Sequence, residues 1–208
     1  MDENRRHSLF MIEELAKLCP ISKEFRDYLL KEPAISVVPN KAILHFQNTV
    51  PLFLWFVVKG TVRRKVRSPK THNYETDFFW FAGQLIGIEN VSWTEQRADV
   101  LIDVVEDTIL ITFTHHQFAQ VVERFPKEAA NLSRILTANY MQRIEELRYD
   151  LKYLTHSERY QKLVNRFERL ISLVTIEDLA DYLSMSRFSF MRQRKLIKGR
   201  KDGKKRGR

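Results

Sequence analysis

The spacing of apolar positions changes along the chain from helical to alternating and back to helical. Over residues 8 to 18, SLFMIEELAKL, and 22 to 31, SKEFRDYLLK, apolar side chains recur every three or four residues. Ser8 and Ser22 stand at the starts, and Pro20 and Pro33 lie beyond the ends, so the pattern predicts two short helices with serine caps. From Ile35 to Phe113 the runs are short, β-branched and aromatic: ISVV, AILHF, LFLWFVV, TVRRKV, YETDFFWF, VLIDVV and TILITF. Pro39-Asn40, Gln47-Asn48, Lys59-Gly60, Ser68-Pro69, Ala82-Gly83 and Glu106-Asp107 separate them. Seven or eight strands at this spacing predict a sandwich or jelly-roll barrel.

After THHQFAQVVERF and Pro126 no turn former intervenes until about Thr155, which predicts one long helix. Tyr140, Ile144, Leu147, Leu151 and Leu154 follow each other at spacings of four and three, the rhythm of a coiled-coil seam. A second row, Ala129, Leu132 and Leu136, drifts around the helix. Either one row meets a second copy of the chain and the other the barrel, or the whole helix packs on its own domain. Beyond it, THSERYQKLVNRFERLI predicts an amphipathic helix opened by a Thr155/Glu158 capping box. Thr175 with Asp178 predicts a second box at the start of the next helix.

Charge sharpens this reading at one end only. The segment from Arg187 to Arg208 holds 11 Lys or Arg and one acid, against a net charge of +9 for all 208 residues. The first 186 residues are therefore close to neutral, and the basic end is a candidate surface for a polyanion. Just before it, Leu179, Ala180, Leu183, Met185 and Phe190 are spaced as in a helix-turn-helix, with small Ala180 where two helices cross. Ser186 would cap the second helix. Ser186, Arg187, Ser189, Arg192, Arg194, Lys195 and Lys198 are then the candidate DNA-binding residues. Arginine suits that place because its planar fork pairs with guanine or phosphate through two hydrogen bonds.

The ordered set of FVVKGTVRRKV, FAGQLIGIENV, a long helix, LTHSERYQKLV and IEDLADYLSMSRFSFMRQRKL resembles the Crp/Fnr transcription regulators, most of all their Bacteroidetes branch. The resemblance implies an α+β fold in three parts. Residues 1–126 would form a cyclic-nucleotide-binding-like jelly roll with N-terminal helices, 127–154 a dimerisation helix, and 155–208 a helix-turn-helix domain with a basic tail. It implies a homodimer joined along the seam from Tyr140 to Leu154, double-stranded DNA as partner, and RNA polymerase as a further one. Three positions depart from the family pattern. Ser184 stands at the turn where glycine is usual, Gln193 where an apolar residue is usual, and Phe188 where a polar residue often follows the first arginine. The family's two-stranded wing is not expected, since only GRKDGKKRGR follows Lys198.

In nucleotide-binding members a Gly-Glu pair and an Arg-Ser/Thr-Ala stretch hold the ribose and phosphate. The matching segment here is GIENVSWTEQRAD. Gly87 is kept, Ile88 replaces the glutamate, Glu89 falls one residue late, and Arg97-Ala98 lacks the hydroxyl residue. A one-residue slip in a strand turns a side chain to the other face. Gly87, Glu89, Arg97 and Ala98 thus mark the effector pocket, with a cyclic nucleotide not expected in it and the effector unnamed. A lone cysteine, Cys19, provides no disulfide, metal or iron-sulfur set, and His115-His116 point about 100° apart on a helix. No cofactor, metal site or catalytic group is expected. The longest apolar run, PLFLWFVV, is too short to span a bilayer, which with the single cysteine leads to an expectation of a cytoplasmic, non-membrane, bacterial protein. The competing reading is a non-enzymatic module whose tail binds RNA, acidic partners or anionic lipid without specificity.

Overall fold

The computed structural model describes residues 2–87 and 99–205, with side chains through residue 197. Two helices lead in, α1 (Glu3–Ala16) and α2 (Lys23–Lys31). Eight strands follow: β1 (Ala34–Val38), β2 (Ile43–His45), β3 (Phe53–Lys59), β4 (Thr61–Arg67), β5 (Tyr74–Phe81), β6 (Leu85–Ile86), β7 (Val100–Val104) and β8 (Thr108–Thr114). They form two antiparallel four-stranded sheets ordered β1-β8-β3-β6 and β2-β7-β4-β5, which gives the expected jelly roll. The remainder is helical: α3 (His115–Arg124), α4 (Pro126–Tyr153), α5 (His156–Phe167), α6 (Leu170–Leu173), α7 (Ile176–Tyr182) and α8 (Arg187–Lys205). Strand β6 was not among the expected runs, because two residues are too few to show alternation.

Ser22 caps α2 as expected, accepting from the Phe25 amide at 3.3 Å. Ser8 does not cap α1. The helix begins a turn and a half earlier, Asp2 is its cap, and Ser8 is buried in its middle. The polar residues 3 to 6 hid that start from a reading based on apolar spacing. The tight β3–β4 connection depends on Gly60 at φ +104°, where a Cβ would lie 2.9 Å from the Thr108 Cα.

Period-two alternation sorts the aromatic strands between separate cores. On β3, Trp55 and Val57 point into the barrel, while Leu54 and Phe56 pack outside it against Met11, Phe25 and Leu29 of the lead-in helices. On β5, Phe78 and Trp80 fill the barrel, and Phe79 points the other way into the core of the C-terminal helices, with no exposed surface. Phe81 stacks on Phe167 of α5 at 4.7 Å between ring centroids. The run DFFWF is therefore apolar on both faces because both faces are covered.

The outer face of β4 and β5 also carries the ionic half of this junction. Arg63 lies opposite Phe79, and Lys65 opposite Thr76. Between them sits Asp178 of α7, which is 5% exposed. Its carboxylate meets Arg63 at 2.6 Å and Lys65 at 3.1 Å, and accepts from the hydroxyls of Thr76 at 2.8 Å and Thr175 at 2.7 Å. Arg63 is held in turn by both oxygens of Asp103 on β7. This is why Asp178 does not complete the expected capping box. Thr175 receives the Asp178 amide at 3.1 Å, but the carboxylate is turned toward the barrel instead of back to the Thr175 amide. Burial pushes the Asp178 carboxyl up, but the Thr175 bond, the Arg63 charge, the Thr76 bond and the Lys65 charge outweigh it and lower it to about 2.

Helix α4 ties the same parts together. Ala129 and Leu132 are buried among the lead-in helices, and Tyr140, Ile144 and Leu147 cover the open side of the barrel core. The Tyr140 hydroxyl accepts from Arg64 at 3.1 Å, and Arg64 is also paired with Asp77 through two hydrogen bonds. Arg143 donates to the Phe79 carbonyl at 2.7 Å and lies 4.0 Å over the Phe78 ring. Of the seam positions, Tyr140, Ile144 and Leu147 thus turn partly onto their own barrel, Leu154 is half-buried and Leu151 is 47% exposed.

Removing the Asp178 charge takes away the acid that Arg63 and Lys65 share in this buried junction, so Asp178→Asn should cost about 3 kcal/mol of stability at neutral pH. A carboxyl held below its ordinary value stabilises fully above about pH 5, and the benefit disappears as pH falls toward 2. Asp181 nearby, raised by burial, titrates in the opposite sense, so the Asp178 share is the difference between the two proteins. Urea unfolding of wild type and Asp178→Asn at a series of pH values should show that difference shrinking between about pH 5 and 2. A difference constant with pH would refute the ionic junction.

Candidate nucleic-acid interface

The C-terminal helices are built around Tyr160, Leu163, Leu170, Leu179, Ala180, Leu183, Met185, Phe190 and Ile197, all buried. The five positions singled out for a helix-turn-helix are among them. α5 starts with the expected reciprocal box: Glu158 accepts from the Thr155 amide at 2.8 Å while Thr155 accepts from the Glu158 amide at 3.3 Å. The turn between α7 and α8 closes through the Ser184 amide donating to Asp181 at 2.8 Å and the Met185 amide to Ala180 at 2.9 Å.

Ser184 takes φ +47°, the left-handed conformation that glycine adopts without strain. An arginine supports it. Arg159 of α5, 8% exposed, donates through one nitrogen to the carbonyls of Leu183 at 2.6 Å and Ser184 at 3.5 Å. Neither Arg159 nor Asp178 was singled out from the sequence as functional. A signal existed for Arg159, because it falls one turn before Leu163 on the buried face of the α5 pattern, where a charged residue needs a partner.

Ser186 caps α8 as expected, accepting from the Ser189 amide at 3.1 Å, and its hydroxyl bonds the Ser189 hydroxyl at 3.0 Å. Phe190 and Ile197 face inward, while Arg187, Phe188, Arg192, Lys195 and Leu196 face solvent. Arg194 and Ser189 are half-buried. The side chain of Lys198 lies outside the described residues, as do Glu89, Arg97 and Ala98 of the expected effector pocket. Gly87 follows directly on β6, at the edge of the described barrel. The backbone of α8 continues to Lys205, so no strand follows the second helix among the described residues.

The first arginine of α8 is not free. Arg187 pairs with Glu177 of α7 at 3.0 Å, with 69% of its own side chain and 55% of its partner's exposed. Exposed pairs of this kind contribute about 0–1 kcal/mol, so a phosphate or base edge can exchange for the carboxylate. Gln193 is half-buried, and its Oε1 is buried without a hydrogen-bond partner among the described residues. Elsewhere, Cys19 is buried and its thiol is pushed up by burial and by Glu128, which leaves it unreactive. Among the described residues no three His, Cys, Asp or Glu stand together as metal ligands, and no helix is long and apolar enough to cross a membrane.

This arrangement recurs in solved structures. FixK2 from Bradyrhizobium japonicum superposes with a TM-score of 0.68 at 14% identity, over 81% of this chain and 85% of that one. A protein from Eubacterium rectale assigned to the crp/fnr family of transcriptional regulators gives 0.67 at 16% identity, over 86% and 85%. The chain shares the fold of these solved structures. A cyclic nucleotide-binding domain from Methylobacillus flagellatus gives 0.61 at 18% identity over 70% of this chain and 82% of that one. No protein-family model and no curated protein matches the sequence. Ser184 and Gln193, which the sequence marked as departures from the pattern that the resemblance implies, carry a left-handed backbone and a buried side-chain oxygen without a partner among the described residues.

Both departures should cost stability. Ser184→Gly should raise it by about 0.5 kcal/mol by relieving the left-handed serine, and Gln193→Leu by about 1 kcal/mol by removing the orphaned carbonyl. Denaturant midpoints of the two variants and wild type measure this. A lower midpoint for Gln193→Leu would mean that the amide has a partner it needs.

Proposed function

We propose that this chain is a sequence-specific DNA-binding transcription regulator of the Crp/Fnr type that acts as a homodimer and has no enzymatic activity. The observation that carries the reading is the solvent face of α8. A serine-capped helix presents Arg187, Arg192 and Lys195 outward from a helix-turn-helix that is fixed to the barrel through Asp178. In this motif the N-terminal residues of the second helix meet base edges while the surrounding cations engage phosphates. Fold likeness to regulators supports the same reading, and extends it to RNA polymerase as a partner.

In the dimer, the two α4 helices meet along the positions that the barrel leaves partly uncovered, Ile144, Leu147, Leu151 and Leu154, with Leu151 as the most exposed apolar member. Two α8 helices then face successive major grooves of a palindrome, about 34 Å apart. Any effector would be of a kind other than a cyclic nucleotide and would bind near Gly87. It would reach the helices through β4, β5 and α4, the elements that touch both.

DNA binding is tested by affinity at several salt concentrations on a site selected from a random duplex library and on unselected duplex. Arg187→Ala should cost about 1–3 kcal/mol on the selected site and much less on the other. Deleting residues 199–208 should weaken both alike and flatten the dependence of log K on log salt by about one unit per lost phosphate contact. An unchanged salt slope would make the tail a solvated end, and equal competition by RNA or anionic vesicles would favour an unspecific basic module. Sedimentation tests the dimer. Leu151→Glu, which places a charge in the apolar interface, should give monomers from a dimeric wild type, and a monomeric wild type that binds the selected site would refute it.

A further inference from the structure

We infer that Phe188 is a base-reading residue that packs on the 5-methyl group of a thymine in the major groove. Among the described residues it is the most exposed large apolar side chain, at 79%. A single wet phenylalanine on a surface carries no information by itself; its position here does. It is the second residue of α8, between Arg187 and the Ser186–Ser189 hydroxyl pair, and it shares one helix face with Arg192 four residues on and Lys195 seven residues on. Any polyanion that engages Arg187 and Arg192 is brought against the Phe188 ring.

The chemistry of the partner follows from what surrounds the ring. An aromatic face flanked by arginines does not suit an apolar protein groove, because docking there would desolvate the cations without pairing them, and one ring offers an anionic membrane too little apolar area to anchor the helix. The duplex major groove supplies both needs. Its phosphates and guanine edges pair with the arginines, and its one protruding apolar group, the thymine methyl, accepts contact from a phenylalanine. The opposite face is committed to folding, with Phe190 and Ile197 buried against the other helices, so Phe188 is free to be chosen for what it reads.

The inference rests on the proposed function, and the following experiment separates the two. Duplexes are selected from a random library by the full-length protein, and each thymine of the selected site is then replaced singly by deoxyuridine, which removes only the methyl. Wild type should bind about fourfold more weakly, the effect of one buried carbon, when the uracil stands at one symmetry-related position of either half-site, and nearly unchanged for the other replacements. Phe188→Ala should fold normally, since the side chain is exposed, bind the thymine and uracil forms of those duplexes equally, and keep its response to changes at other positions. Phe188→Leu should retain part of the discrimination. If a shared site emerges but wild type ignores every uracil, or Phe188→Ala discriminates as wild type does, Phe188 is not a reader and the DNA-binding function stands. If no shared site emerges, sequence-specific binding itself is refuted, and this inference with it.

Discussion

One buried carboxylate, Asp178, joins the barrel to the helices that follow it, and the direction in which α8 points depends on that junction. Phe79 and Phe81 supply apolar area to the same contact, but apolar area is indifferent to small rotations of one body over another. The ionic cluster is not. Asp178 must meet Arg63, Lys65, Thr76 and Thr175 together, and Arg63 is itself fixed to Asp103 on a third element. A charge in this position is tolerated only while every partner is in place. The junction therefore has one good geometry and poor neighbours, and it fixes how the helices that carry α8 sit on the barrel.

The long helix works beside this junction. Tyr140 meets Arg64 on the inner side of β4, and Arg143 meets the carbonyl of Phe79 on β5. Further along, Asp150 holds Lys162 of α5 at 2.6 Å, and Glu146 holds Arg166 at 3.2 Å. Strands β4 and β5 thus carry two sets of residues, one facing the barrel interior with α4 and one facing the helix-turn-helix. A change inside the barrel that displaced Arg64 or Phe78 would be felt on the other face of the same two strands, because a pleated backbone cannot shift one row of side chains without the other.

The order of elements was readable in the sequence because seven of the eight described strands and the long helix follow from apolar runs and from where turn formers do and do not interrupt them. The helix-turn-helix was readable because its core positions are apolar and its cap is a serine. What escaped is polar and long-range. Asp178 looks like a local capping residue, yet Arg63, Lys65 and Thr76, which it also meets, lie more than a hundred positions earlier in the chain. Arg159 looks like an ordinary helix former until Leu183 and Ser184 are brought beneath it. Ser8 misled because an apolar pattern shows where a helix is buried, not where it begins. The split role of DFFWF was hidden for a related reason: alternation assigns residues to two faces without saying that both will be covered.

The tether from Arg159 to the turn bears on how such a motif persists while its sequence changes. A turn that holds its own shape must keep the residue suited to it, and glycine at the left-handed position is that residue. Here a cation from a neighbouring helix grips the carbonyls on either side, so part of the responsibility for the shape lies outside the turn. The glycine then becomes replaceable, and a serine can stand there at modest cost. Mutational drift is released at the very position that most readily announces the motif, while the constraint moves to an arginine in another helix. Two chains can in this way keep the same three-dimensional recognition element and share almost nothing at the place where one would look for it.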